Sequence, residues 1–162
     1  MPEQPVSIAE VIAPYVLQNT FVYENLPLAE KAMLEEASRQ LTMQRGESLF
    51  RQGAFPKCAY LLHTGKVKIY TERSNSQKQT LYIYTDGDLL GYRQLLSEEP
   101  YPVSAELLED SRISIIPAEA FRALVRESSF FSRNLLEAMA REFSVWMNRL
   151  TVTPASPMSR ST

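Results

Sequence analysis

Glycines at 46, 53, 65, 87 and 91 divide the middle of this chain into short apolar runs, and frequent turn residues between short runs favour strands over helices. From Gln40 onward Leu41 and Met43 alternate with Thr42 and Gln44, a period of two. Ser48 to Phe50, Ala59 to Leu62, Lys66 to Tyr70 and Thr80 to Tyr84 follow as strands. In the third of these, Val67 and Ile69 are expected on one face and Lys66, Lys68 and Tyr70 on the other. Residues 71–79 are polar throughout and predict a hairpin tip. Val103 to Leu107 and Arg112 to Ile116 add a further pair, joined by an acidic turn around Glu109 and Asp110. The strand spacing predicts a mainly β domain with flanking helices, a sandwich or jelly-roll barrel.

Helices flank this region on both sides. Ser7-Ile8-Ala9-Glu10 has the form of a reciprocal N-terminal cap, and Pro14 ends or kinks the helix it opens. Pro27 suits the first position of a second helix, with Leu28, Ala32, Leu34, Ala37 and Leu41 roughly on one side. Pro117 starts a helix through Arg126, and Ser128-Ser129 separates it from a longer one over about residues 130–150. The expected division is 1–38 for N-terminal helices, 39–117 for the jelly roll, 118–150 for C-terminal helices and 151–162 for a disordered tail.

In the last helix Leu136, Met139, Phe143, Trp146 and Leu150 recur at steps of three and four, as a and d positions do. Phe131, Leu135 and Met147 form a second strip beside them. A helix with two apolar strips is expected to touch both its own barrel and another chain, so Leu136, Met139, Phe143, Trp146 and Leu150 are taken as a homodimer seam. The competing reading is one wide stripe packed on the core.

Composition narrows the function classes. The chain carries 17 Lys and Arg against 19 Asp and Glu, so it has no general attraction to a phosphate polymer or an anionic membrane. Cys58 is the single cysteine and His63 the single histidine. One of each rules out a four-cysteine metal site and leaves an enzyme built on a His-rich barrel without ligands. No apolar run approaches 18 residues and the N-terminus lacks a signal-peptide pattern, so a cytoplasmic location is expected.

Gly87 and Gly91, four apart, close a β-like run, and the second opens a segment able to make one or two helical turns before Pro100. Such a junction suits an anion cradle, because glycine admits close approach and a helix's first N–H groups are unpaired. The order of parts, with Gly46-Glu47, Tyr60-Leu61-Leu62, Gly65 to Tyr70, Gly87-Asp88-Leu89-Leu90-Gly91 and a long final helix, resembles the effector domain of Crp/Fnr regulators over about residues 25–150. Gly-Tyr-Arg after the second glycine and Glu-Pro-Tyr before the next strand are most similar to the Fnr-like members.

The resemblance implies the cyclic nucleotide-binding fold, a double-stranded β-helix followed by a dimerisation helix. It also implies a ligand cassette made here of Gly91, Tyr92, Arg93, Gln94, Ser104 and Ala105. In nucleotide-binding members a glutamate follows the glycine and an arginine precedes the small hydroxyl residue and alanine. The resemblance places Tyr92 and Val103 at those two positions. A carboxylate for ribose hydroxyls and a guanidinium for the cyclic phosphate are then both absent, which argues against cAMP and cGMP. Arg93 could turn into the pocket and serve a different small anion with Ser104, or it could face solvent or pair with Glu98 or Glu99. Tyr92 is expected to pack between the barrel and the final helix, filling the space of a nucleotide. The cysteine cluster of Fnr-type iron–sulfur sensing is absent.

Full regulators of this family continue into a helix-turn-helix domain. After Leu150 this sequence holds two prolines and one basic residue, Arg160, so intrinsic DNA binding is not expected of it. The resulting expectation is a non-enzymatic, homodimeric sensor domain with no cofactor, no metal, no catalytic residues and no membrane contact. The alternative is a regulator whose reader is truncated or supplied by another chain, as in a heterodimer with a full-length relative.

Overall fold

A computed structural model describes residues 18–152, with side chains described through Asn148. The Ser7 helix start, the Pro14 break, the tail beyond Val152 and the Leu150 side chain lie outside the described residues. Eight strands form the body: β1 (Arg39–Met43), β2 (Ser48–Phe50), β3 (Cys58–Thr64), β4 (Val67–Glu72), β5 (Lys78–Tyr84), β6 (Leu89–Leu90), β7 (Ser104–Leu107) and β8 (Ser111–Pro117). They pair as β1 with β8, β2 with β7, β3 with β6 and β4 with β5, all antiparallel. The chain is therefore folded in half about the β4–β5 hairpin and rolled, the double-stranded β-helix that the family resemblance implied and one of the two architectures the strand spacing allowed. The resulting sheets have the orders β1-β8-β3-β6 and β2-β7-β4-β5.

Strand β3 lies between two apolar layers, which explains its unbroken apolar run. Tyr60 and Leu62 join Val67, Ile69 and Leu107 inside the barrel. Ala59 and Leu61 join Leu89 and Ile116 in a second layer, under the helices. A strand buried on both sides loses its polar alternation. Gly65 makes the turn into β4 with φ +132°, and a Cβ there would lie 1.9 Å from Ser111 Oγ, so only glycine fits.

One local expectation is corrected. The hairpin tip is shorter than residues 71–79, because β4 runs through Glu72 and β5 begins at Lys78. Tyr70 shares a face with Lys68 as expected, and it is buried there, with the Lys68 and Lys78 ammonium groups 5.3 and 4.9 Å from its ring centre. The register shift beside Tyr70 leaves Leu81 of β5 as the extra residue and β4 in unbroken register with β7, so the alternation of β4 is kept, and two cations cover the ring.

The helices are α1 (Phe21–Glu24), α2 (Leu28–Ala37), α3 (Arg93–Ser97), α4 (Ala118–Glu127) and α5 (Ser129–Val152). Pro27 and Pro117 stand immediately before α2 and α4, where a residue that lacks an N–H costs nothing. Of the side expected for α2, only Leu34 is buried in the helix, while Leu28, Ala32 and Ala37 are exposed. Ser128 Oγ accepts the Phe131 N–H at 3.0 Å and caps α5. That helix extends to Val152, two residues into the stretch expected to be tail.

Helix α5 does have two apolar strips, but their membership differs from the expected seam. Phe131, Leu135 and Ala138 are buried under the barrel, and Glu142 continues the same line. Met139 packs against the helix layer and Trp146 against the barrel interior cluster. Leu136 (66% exposed), Phe143 (65%) and Met147 remain on the outside. The line 136, 139, 143, 146 thus straddles both faces, because the azimuth of a helix on its barrel is set by tertiary packing and not by its own periodicity.

Candidate functional site

The cassette backbone follows from β6, a two-residue strand that pairs with Tyr60 and Leu61 of β3. Gly91 then turns with φ +76°, Tyr92 precedes α3, and Glu98 closes that helix in the left-handed region at φ 58°. With five residues, α3 is little more than one turn. The interior beside Gly91 is filled by rings. A Cβ at Gly91 would lie 3.0 Å from the Tyr60 ring and 3.4 Å from Phe50. Tyr101 stacks on Phe50 with centroids 3.8 Å apart and donates its hydroxyl to the Gly91 carbonyl at 3.2 Å.

The remaining cassette residues are committed to the fold. Ser104 Oγ accepts the Gln52 N–H at 2.9 Å and fastens the loop after β2. Ala105 is fully buried in the barrel, Val103 packs against the same cluster, and Gln94 is half-buried. Tyr92 is 1% exposed, with its ring 6.3 Å from Phe121 of α4, so it fills space between barrel and helices as expected.

Arg93 takes neither of the two directions weighed for it from sequence. It does not pair with Glu98 or Glu99. Its Nη2 donates to the Tyr82 hydroxyl at 2.5 Å, and its Nη1 lies 3.6 Å from Glu142 Oε2 on α5. Tyr84 donates its hydroxyl to Glu142 Oε1 at 3.0 Å. A buried polar cluster therefore joins the cassette helix, β5 and the final helix. Glu142 is 4% exposed, and burial raises its pKa above the usual carboxylate range despite the opposing pull of Arg93 and the Tyr84 hydrogen bond. The Tyr92 hydroxyl is buried without a hydrogen-bond partner among the described residues, and Glu142 Oε2 has none beyond the ion pair.

Glu142, Tyr82 and Tyr84 were absent from the residues singled out from sequence. One signal was available: Glu142 lies four after Ala138 and three before Val145, so a charge sits on the core-facing line of the helix. The two isolated reactive side chains lie elsewhere. His63 Nε2 is 2.6 Å from Ser114 Oγ, and burial, followed by the nearby Arg112 charge, lowers its pKa. Cys58 is half-buried, and burial pushes its thiol up. Among the described residues no group of three His, Cys, Asp or Glu could hold a metal ion, and no helix is long and apolar enough to cross a membrane.

Residues 40–128 match the family model of the cyclic nucleotide-binding domain. The Cyclic AMP receptor protein of Thermus thermophilus is 31% identical over 97 residues, covering 60% of this chain and 45% of that protein. The transcriptional activator protein Anr of Pseudomonas aeruginosa is 27% identical over 131 residues, covering 81% and 52%. The chain thus spans about half the length of the curated regulators it matches. Among solved structures, the Thermus thermophilus Catabolite Activator Protein superposes with a TM-score of 0.72 at 25% identity, covering 84% of this chain and 63% of that one. The sensor domain of the regulator DNR from Pseudomonas aeruginosa has the same fold, with a TM-score of 0.66 at 18% identity and coverage of 86% and 89%. With the rolled barrel, the glycine cassette and the long final helix in place, the chain belongs to the cyclic nucleotide-binding domain family and has its homologues among the Crp/Fnr regulators.

Proposed function

We propose that this chain is a non-enzymatic effector domain of Crp/Fnr-type transcription control, acting in the cytoplasm, whose cassette does not take cAMP or cGMP in the ordinary way. The supporting observation is the content of the cassette: Tyr92 is buried against Phe121 where the resemblance puts a ribose-binding glutamate, and Val103 packs into the barrel where it puts a phosphate-binding arginine. Neither side chain offers a charged partner to a nucleotide, and losing two such partners costs on the order of several kcal/mol of binding. Output runs through α5, which touches the cassette at Arg93 and offers Leu136, Phe143 and Met147 to a second copy of the chain. DNA reading belongs to a further domain, on the same polypeptide or on a partner chain.

Thermal shift with cAMP and cGMP tests the reading. A ligand at a hundred times its Kd adds about 2.7 kcal/mol and raises Tm by several degrees. No shift is expected with either nucleotide, and a clear one with cAMP overturns the reading.

A further inference from the structure

The cluster around Glu142 has the composition of an anion site that is already filled. A guanidinium and a phenol hydroxyl converge on one carboxylate: Arg93 Nη1 at 3.6 Å from Oε2, and the Tyr84 hydroxyl at 3.0 Å from Oε1. A third donor, the hydroxyl of Tyr92, the residue before Arg93, is buried without a partner. Tyr82 holds the guanidinium from the other side. The arginine is 34% exposed at its side chain while the carboxylate is 5% exposed, so solvent reaches the site from the Arg93 side.

We propose that Glu142 is the resident ligand of this domain: Arg93, Tyr84 and Tyr92 form an anion site, Glu142 fills it in the free chain, and a phosphate-bearing small molecule acts by displacing that carboxylate. The inference rests on the reading of the chain as a signal-responsive effector domain and names the regulation of its cassette. The chemistry favours phosphate, because a guanidinium fork and several hydroxyl donors suit a tetrahedral oxyanion with more acceptor positions than a carboxylate offers. Displacement is coupled to movement. A carboxylate robbed of its cation in a buried place is strongly disfavoured, so Glu142 either takes up a proton or moves to water, and the bulk of the incoming phosphate drives the second course, which takes a turn of α5 with it. The same contact that closes the site thereby holds the final helix on the barrel.

Isothermal titration of the full chain with inorganic phosphate tests this. Glu142→Gln is expected to bind phosphate more tightly than the unmodified chain by on the order of tenfold, the effect of removing one charged competitor. Adding Arg93→Gln in that background is expected to abolish the gain. An unchanged affinity in Glu142→Gln, or a gain that survives Arg93→Gln, overturns the proposal. If circular dichroism shows that Glu142→Gln does not fold, Glu142→Asp is measured in its place. That variant keeps the charge but draws the carboxylate back by one methylene, so a smaller gain is expected, and none overturns the proposal. These titrations are independent of the cAMP thermal shift, so the two readings fail separately.

Discussion

Asn19 and Asp88 hold the entry of the chain to the cassette strand. The Asn19 N–H donates to Asp88 Oδ1 at 2.9 Å, while the Asn19 side chain accepts the Leu89 N–H at 2.6 Å and donates to the Leu89 carbonyl at 2.7 Å. One amide side chain thus serves as a strand partner for the edge of β6. The other Asp88 oxygen accepts the Thr85 N–H at 2.8 Å.

Burial pushes the Asp88 carboxyl from 3.8 up to about 6, outweighing the Thr85 and Asn19 hydrogen bonds. The folded state then holds the proton more tightly than the unfolded one. This contribution is fully present below the unfolded value and is lost as pH rises from about 4 to about 6. Denaturant unfolding of the chain and of Asp88→Asn should show their stability difference falling over that window by on the order of 3 kcal/mol.

Two tyrosines of the cluster should respond in opposite ways to loss of the hydroxyl. Tyr92→Phe removes a buried group without a partner and is expected to be neutral or stabilising by up to about 1 kcal/mol. Tyr84→Phe takes a donor from the buried Glu142 carboxylate and is expected to cost about 2 kcal/mol. Urea denaturation of the pair measures the contrast, and equal losses would mean that the Tyr92 hydroxyl has a role in the fold.

Glycines of the barrel differ in what surrounds them. Gly65→Ala places a methyl 1.9 Å from Ser111 Oγ at φ +132° and is expected to cost more than about 3 kcal/mol. Gly53→Ala meets open space at φ +91°, so only backbone strain of about 1 kcal/mol is expected. Thermal melts of the two variants should therefore separate by many degrees.

The outer strip of α5 predicts a self-association phenotype. The unmodified chain is expected to be a dimer by light scattering, and Phe143→Glu, on an exposed position, is expected to give a folded monomer. Trp146→Glu is expected to lower Tm instead, since Trp146 lies edge-on to Tyr82 at 5.6 Å and packs on the barrel. A dimer that survives Phe143→Glu would place the contact elsewhere.

Strand positions and the prolines before α2 and α4 were readable because each is dictated by a few neighbouring residues. The direction of Arg93 was not, since its partner lies in the final helix and no local rule connects them. The face of Tyr70 was legible, but its burial was not, because one of the two lysines that cover its ring comes from the neighbouring strand. The same holds for α5: its periodicity gives two strips, but which strip meets the barrel depends on how Phe131 and Leu135 fit beneath α4 and the sheet. Tyr92 was legible as filler because a large ring after a cassette glycine has few places to go.

Trp146 is the chain's one tryptophan, and its ring meets Tyr82 at 82°, on the same tyrosine that receives Arg93. The indole therefore occupies the seam between helix and barrel, with no second chromophore of its kind to blur its signal. Emission wavelength and quenching at this residue should report, without any label, whether the final helix is seated or lifted, so the protein carries its own optical gauge of the proposed displacement.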